Sequence, residues 1–196
     1  MSEPAAATTK VISPVGIASY PYVATPQSPR PGSTANPKYS MTVIFKPGTD
    51  LSALKAAANA AAESAYPGKG IALLAKGTLR SPFRTDCEAK NYKDCATFIN
   101  VRTDKKPGVV YAYKDATTGK PALIPDDKIA DEIYPGCQVK VSLNAFAYNT
   151  DGNKGISFGL NNVQKIGEGE RLDGRAAADD EFTADLSQAP DEDLPF

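Results

Sequence analysis

Residues 38–46, KYSMTVIFK, alternate strictly, with Tyr39, Met41, Val43 and Phe45 on one face and Ser40, Thr42, Ile44 and Lys46 on the other. A period of two predicts a half-buried strand. Residues 11–23 also read as extended, with Pro14 and Pro21 restricting them to an edge strand or a broken one. Between the two lies ATPQSPRPGSTANPK, residues 24–38, a Pro, Gly and Ser rich loop carrying Arg30 and Lys38. Its length points to a binding loop or a flap rather than a plain connection.

The period then changes. Asp50 is placed to cap LSALKAAANAAAESA, an alanine-rich helix with a narrow apolar stripe at Leu51 and Leu54, and YPGKG stops it. LLAKGTLRSPFRTDCEAKNYKDC is irregular and basic. ATFINVRT and GVVYAYK read as a hairpin about DKKPG, and DKIADEIYPG as a short acidic helical turn. CQVKVSLNAFAYN and KGISFGLNNVQKI form a second hairpin, with Asp-Gly inside TDGN as the tight-turn signal. After Gly167 periodicity disappears.

This order predicts a mainly β fold, an OB-like small barrel of five to six strands with one α-helix. Residues 1–10 read as a disordered N-terminus, 11–172 as one domain, and 173–196 as a disordered acidic tail with too few apolar side chains to fold alone.

Charge sharpens that division. The net charge of −1 conceals −7 in residues 173–196, where eight acids face Arg175, and +6 in residues 1–172. A basic body with an acidic tail points to an anionic partner for the body, to an intramolecular mask, or to both. The absence of histidine removes the usual general base at neutral pH, so the expectation is no enzyme. Asp126, Asp127, Asp131 and Glu132 could hold Mg2+ for a nuclease, but they read more simply as a solvated helix face. Cys87, Cys95 and Cys137 are odd in number and lack a CxxC pair, which speaks against a disulfide framework and against zinc; no cofactor or metal is expected. The first ten residues lack a signal-peptide pattern, and no apolar run approaches a membrane span. The expected location is the cytoplasm, with no membrane partner.

The candidate chemistry lies on strand faces. In residues 138–148, Val139, Val141, Leu143, Ala145 and Ala147 can face the core while Lys140, Ser142, Asn144, Phe146 and Tyr148 face out. In TFINVRT, Ile99 and Val101 inward leave Phe98, Asn100 and Arg102 outward, and Tyr111 and Tyr113 share a face. The basic insert adds Arg80, Phe83, Arg84, Lys90, Tyr92 and Lys93, and the following turn adds Lys105 and Lys106. Rings beside cations suit single-stranded nucleic acid, whose unpaired bases stack while Lys and Arg follow the phosphates. The same rings would serve equally as a second apolar layer or a subunit contact, so a homo-oligomer stays open.

The chain closes on DEDLPF, residues 191–196. An OB-like body followed by an acidic tail ending in Leu-Pro-Phe resembles the single-stranded DNA-binding proteins of bacteria and their phages. YPGCQVKVSLNAFAYNTDGNKGISFGLNNVQKIGEGERLDGR and NPKYSMTVIFKPGTDLSALKAAANAAAESAYPGK resemble a tailed-phage family of such proteins with an OB fold. The resemblance implies coating of single-stranded DNA during phage replication or recombination in the host cytoplasm. It also implies that Asp191, Glu192, Asp193, Leu194, Pro195 and Phe196 recruit replication or recombination proteins. Readings as an annealing or recombination mediator, or as a protein-interaction module, remain beside it.

Overall fold

The computed structural model describes residues 8–28, 35–150 and 152–172. The extended N-terminal stretch divides into β1 (Lys10–Ile12) and β2 (Gly16–Gln27). Both lie antiparallel along one edge of β8 (Gln138–Thr150), so they behave as one strand broken at Ser13-Pro14-Val15. Ser13 bridges the break, its amide donating to Val141 O and its hydroxyl accepting from the Val141 amide. β2 runs four residues past the expected end at Val23, pairing Gln27 with Lys38 of β3 (Lys38–Phe45). Part of the anticipated long loop is therefore strand, and residues 29–34 lie outside the described residues.

Asp50 Oδ1 accepts the Ser52 amide at 2.8 Å at the start of α1 (Ser52–Ala65). Leu54, Ala57, Ala58, Ala61 and Ala62 form its buried stripe, and the alanines let the backbone approach the strands closely. A second helix that the glycines of YPGKG concealed, α2 (Gly70–Ala75), packs against α1.

The insert contributes the short β4 (Phe83–Arg84) and a 3-10 turn at Glu88–Lys90. Beyond it come β5 (Thr97–Thr103), β6 (Gly108–Lys114), β7 (Pro121–Leu123), α3 (Ile129–Glu132) and, after β8, β9 (Asn153–Gly167). β8 and β9 form the expected hairpin, with Thr150 opposite Asn153. β5 and β6 do not form the other. Both pair in parallel with β9 at successive positions, β5 at Phe158–Gly159 and β6 at residues 162–165. A fifteen-residue strand buried on its inner face offers more edge and more apolar area than a five-residue turn can enforce locally.

β2, β3, β5, β9 and β8 each pair with the next and close a ring of five strands. Val43, Ile99, Val139, Val141, Leu143 and Phe158 fill it and are fully shielded from solvent, with α1 against them. The mainly β, OB-like fold expected from the pattern is present.

Candidate nucleic-acid interface

The outer face of the ring carries the polar and aromatic half of each strand. Cross-strand partners share a face. Tyr22 on β2 pairs with Ser40 on β3, Ser40 with Arg102 on β5, Arg102 with Gly159 on β9, and Gly159 with Asn144 on β8. At roughly 4.8 Å per strand this row spans about 19 Å. Beyond Asn144 the Phe146 ring lies over Gly159, its Cε1 3.6 Å from the point where a β-carbon would sit. Tyr148 follows, directly opposite Gly155, and its hydroxyl fills the space that a side chain there would occupy. The glycines thus make a low floor between raised rings.

At the β2 end a bulge multiplies the aromatics. Residues 20 and 21 face the single Met41, because Ser19 pairs with Thr42 and Tyr22 with Ser40. Tyr20 sits at φ 46°, a left-handed conformation unusual for a bulky side chain. Tyr20 and Tyr22 therefore line the same groove of about 340 Å3, with Ser40, Thr42, Asn100 and Arg102. They are 62% and 40% exposed, and Phe146 is 44% exposed, an unusual outlay of aromatic surface. Thr42 Oγ1 donates to Asn100 Oδ1 at 2.7 Å and fixes the polar floor.

Of the residues singled out in sequence, the fold brings Arg102, Phe146, Tyr148 and Arg80 to this face. Arg80 borders it through a bridge to Gly155, its amide donating to Lys154 O and its carbonyl accepting from Ile156 N. Lys140, half-buried, lies on the same face of β8. Tyr20, Tyr22 and Asn100 line the groove as well and were not among the residues singled out. The Tyr-Pro-Tyr alternation was a signal for the first two, but the bulge that aims both at one groove is not written in the period.

Other rings have different duties. Phe98 faces outward as expected but is 2% exposed, because the insert folds over it. Tyr92 meets it edge-on with centroids 5.4 Å apart, Cys87 and Ile44 complete the cluster, and the Arg84 guanidinium lies over its ring. Tyr92 is thereby half-buried, within hydrogen-bond reach of Ser19 Oγ at 3.4 Å. Phe83 turns inward and packs edge-on against Phe158, 5.9 Å between centroids. A disulfide between Cys87 and Cys95 closes the covering loop, contrary to the expectation of three unpaired thiols. Their Cα atoms are 5.8 Å apart because the 3-10 turn and the left-handed Asn91 and Asp94 return the chain on itself. Cys137 alone is free, and buried.

The charges also separate. Arg84 is held by Asp86 in a two-point pair at 3.0 and 2.8 Å, and Lys106 pairs with Asp126 at 2.6 Å. Lys90 and Lys93 stand exposed on the disulfide loop, and Lys105 on the β5–β6 connection. Tyr111 and Tyr113 stack 4.7 Å apart on β6, but the register of Tyr111 with Lys165 puts them on the opposite face of the sheet from Arg102. Glu132 pairs with Lys165, and among the described residues no group of three or more Cys, Asp or Glu side chains is placed to hold a metal. Residues 191–196 lie outside the described residues.

Residues 9–194 match the family model described as the single-stranded DNA-binding protein of Enterobacter phage Enc34. The structure of the Enc34 single-stranded DNA-binding protein in complex with single-stranded DNA is similar at a TM-score of 0.66, with 18% identity over 87% of this chain and 96% of that one. The Enc34 protein without DNA gives 0.62, with 18% identity over 92% and 96%. Bacteriophage T7 gp2.5, a single-stranded DNA-binding protein, gives 0.55, with 17% identity over 87% and 98%. No curated protein sequence matches the chain.

Proposed function

Because the chain belongs to the family of the Enc34 phage single-stranded DNA-binding protein, we propose that it binds single-stranded DNA without regard to sequence, through the outer groove of the ring and without catalysis. The observation that carries this reading is the row Tyr22, Ser40, Arg102, Gly159, Asn144, ending at Phe146. Raised rings at both ends offer stacking platforms to unpaired bases, each worth about 1–3 kcal/mol. The glycine floor lets the strand approach, and Arg102 in the middle meets a phosphate. Arg80 and Tyr148 extend the track past β9, Lys140 lies further along β8, and Lys90 and Lys93 flank it on the disulfide loop. Tyr113, on the opposite face, and Lys105, on the β5–β6 connection, are second-contact candidates for a long strand.

The acidic tail, residues 173–196, competes with DNA for the basic body and, through residues 191–196, recruits replication or recombination proteins in the infected cell. Support comes from the tail's net charge of −7 against +6 in the rest of the chain.

Titration of labelled oligonucleotides at several salt concentrations, run on gels with and without Mg2+, tests the reading. The expected result is retardation without shortening, affinity falling steeply with salt, and comparable binding to unstructured homopolymers. Affinity independent of salt, or shortened products, would overturn it.

A further inference from the structure

On β5 the outward face that carries Arg102 and Asn100 continues to Phe98, one same-face step of about 7 Å further along the strand. Across the sheet the row at Phe98 runs Ile17 on β2, Ile44 on β3, Phe98 on β5 and Arg84 on β4. It follows directly on the row of Ser19, Thr42 and Asn100 in the open groove. It also repeats the groove's chemistry, a ring with a cation beside it, because the Arg84 guanidinium stands 5.9 Å from the Phe98 ring centroid. Yet Phe98 is 2% exposed, whereas Tyr20, Tyr22 and Phe146 stand open to solvent.

The loop of residues 85–96 hides this row, and its backbone holds to the body only at its ends. β4 pairs with β5 on one side, and the Ala96 amide donates to Phe45 O at 3.0 Å on the other. Among the described residues, the backbone hydrogen bonds between these ends close within the loop, from the Lys90 and Tyr92 amides to Cys87 O and from the Asn91 amide to Glu88 O. Only side chains reach down: Cys87, Tyr92 and Cys95 pack with Ile44 and Phe98, and Tyr92 lies 3.4 Å from Ser19 Oγ. The far flank is undercut by a cavity of about 570 Å3, which Asn91, Lys93 and Asp94 line from the loop and Ile17, Ile44 and Lys46 from the body. Asn91 and Asp94 are left-handed, a conformation that raises the energy of residues with a β-carbon. The Cys87–Cys95 disulfide is the covalent bond that keeps the loop in this shape.

We propose that Phe98 and Arg84 form a latent subsite of the groove, for one further unpaired base and its phosphate, opened by reduction of the Cys87–Cys95 disulfide. The inference rests on the reading of the outer groove as the site of single-stranded DNA. The opening step is thiol–disulfide exchange with a dithiol reductant. A thiolate of the reductant attacks the Cys95 sulfur, which is half-buried where Cys87 is 6% exposed. A mixed disulfide forms at Cys95, the S–S bond breaks with its electron pair on Cys87, and Cys87 takes a proton. The second thiol of the reductant then displaces Cys95, which leaves as a thiol, and the reductant departs as its own disulfide. Two electrons and two protons have passed to the protein. Loss of the cross-link returns conformational freedom to the loop and favours its open states. A base on Phe98 then replaces the edge contact of Tyr92, and a phosphate takes Arg84 from Asp86, which holds it at 3.0 and 2.8 Å in the closed loop.

The test measures the affinity of the full chain for a short, labelled, unstructured DNA oligonucleotide by fluorescence anisotropy, oxidised and after treatment with dithiothreitol. Cys137 is unpaired, so the chain's three cysteines give the reagent one disulfide to break. The expected result is tighter binding by the reduced chain, by about fivefold or more, the lower end of what one stacked base contributes. The gain should vanish in Phe98→Leu, which keeps an apolar side chain at the position and removes the ring. A chain with Cys87→Ser and Cys95→Ser, which leaves Phe98 intact, should bind as the reduced chain does with no reductant present. Tryptic cleavage after Lys90 or Lys93 reports the loop without DNA and should be faster in the reduced chain. Equal binding by the two forms, weaker binding after reduction, unchanged cleavage, or a gain that persists in Phe98→Leu would overturn the subsite and leave the groove reading in place. No binding by either form would overturn both.

Discussion

The Phe146 ring on β8 lies across Gly159 on β9, 3.6 Å from the position of the absent β-carbon, with Arg102 of β5 as the next residue in the row. The ring is thus supported from below by backbone and open above. Phe146→Ala is expected to weaken binding of single-stranded DNA by about 1–3 kcal/mol. Thermal unfolding should change little, because at 44% exposure the ring contributes little to the core. Fluorescence titration beside a melting curve measures both; a lost fold with unchanged affinity in the folded fraction would reassign the ring to packing.

Arg102 should act through charge. Arg102→Ala is expected to reduce the slope of log affinity against log salt by about 1, with no preference among base compositions. Titrations from low to high salt measure the slope, and an unchanged slope would remove Arg102 from the phosphate track.

The disulfide should stabilise the insert that covers Phe98. Cys87 and Cys95 are eight residues apart, and closing so short a loop restricts the unfolded chain by about 2–3 kcal/mol. The paired Cys87→Ser, Cys95→Ser chain should unfold at correspondingly lower denaturant, with faster hydrogen exchange at residues 44 and 98. The same midpoint with and without reductant for the unmutated protein would contradict this.

Lys165 predicts a pH dependence at the other end of the ring. It lies 2.6 Å from both Glu132 and Glu168. The Lys165 hydrogen bond is the main cause holding both carboxyls below their ordinary value, with the hydroxyls of Tyr111 and Tyr134 assisting. Burial pulls the ammonium down, but its hydrogen bonds to the two carboxylates outweigh that and leave it raised. Carboxyls lowered in the folded state contribute stability above their unfolded value and lose it as pH falls through the folded one. A raised ammonium contributes stability below its unfolded value and loses it as pH rises through the folded one. Melting temperature should therefore fall below about pH 4.5 and again above about pH 10.5. Glu132→Gln should flatten the acid limb, and melting curves across pH for both chains check it.

Gly136 has φ +115°, and a β-carbon there would stand 2.0 Å from Glu170 O. Gly136→Ala must move backbone, and a loss of more than about 2 kcal/mol is expected by chemical denaturation. Gly152, at φ +80° but with open space around it, should cost less on the same substitution.

Local pattern carried far in this protein. The alternation in residues 138–148 located the buried and outward sets of β8, from Val139, Val141 and Leu143 inward to Asn144 and Phe146 outward. The Asp-Gly turn located its hairpin, and the alanine run its main helix. Each is a short-range effect, set by side-chain direction, turn geometry or helix propensity within a few residues. Phe98 shows where that logic stops: its face was read correctly, yet a segment eleven residues earlier folds over that face.

What the sequence determined by itself is the inventory and its periods: a strand-rich body with rings and cations on alternate positions, and an acidic tail set apart by charge. Only the tertiary structure decided which rings share a surface. Pairing of β6 with β9 beyond β5, in place of a β5–β6 hairpin, sent Tyr111 and Tyr113 to the opposite face, and the bulge at Tyr20 brought two tyrosines toward Arg102. The reason is physical. Alternation states only that a side chain points up or down from its own strand, whereas the neighbour across the sheet is chosen by long-range pairing, where closing the ring and burying both edges of β9 outweigh any local turn.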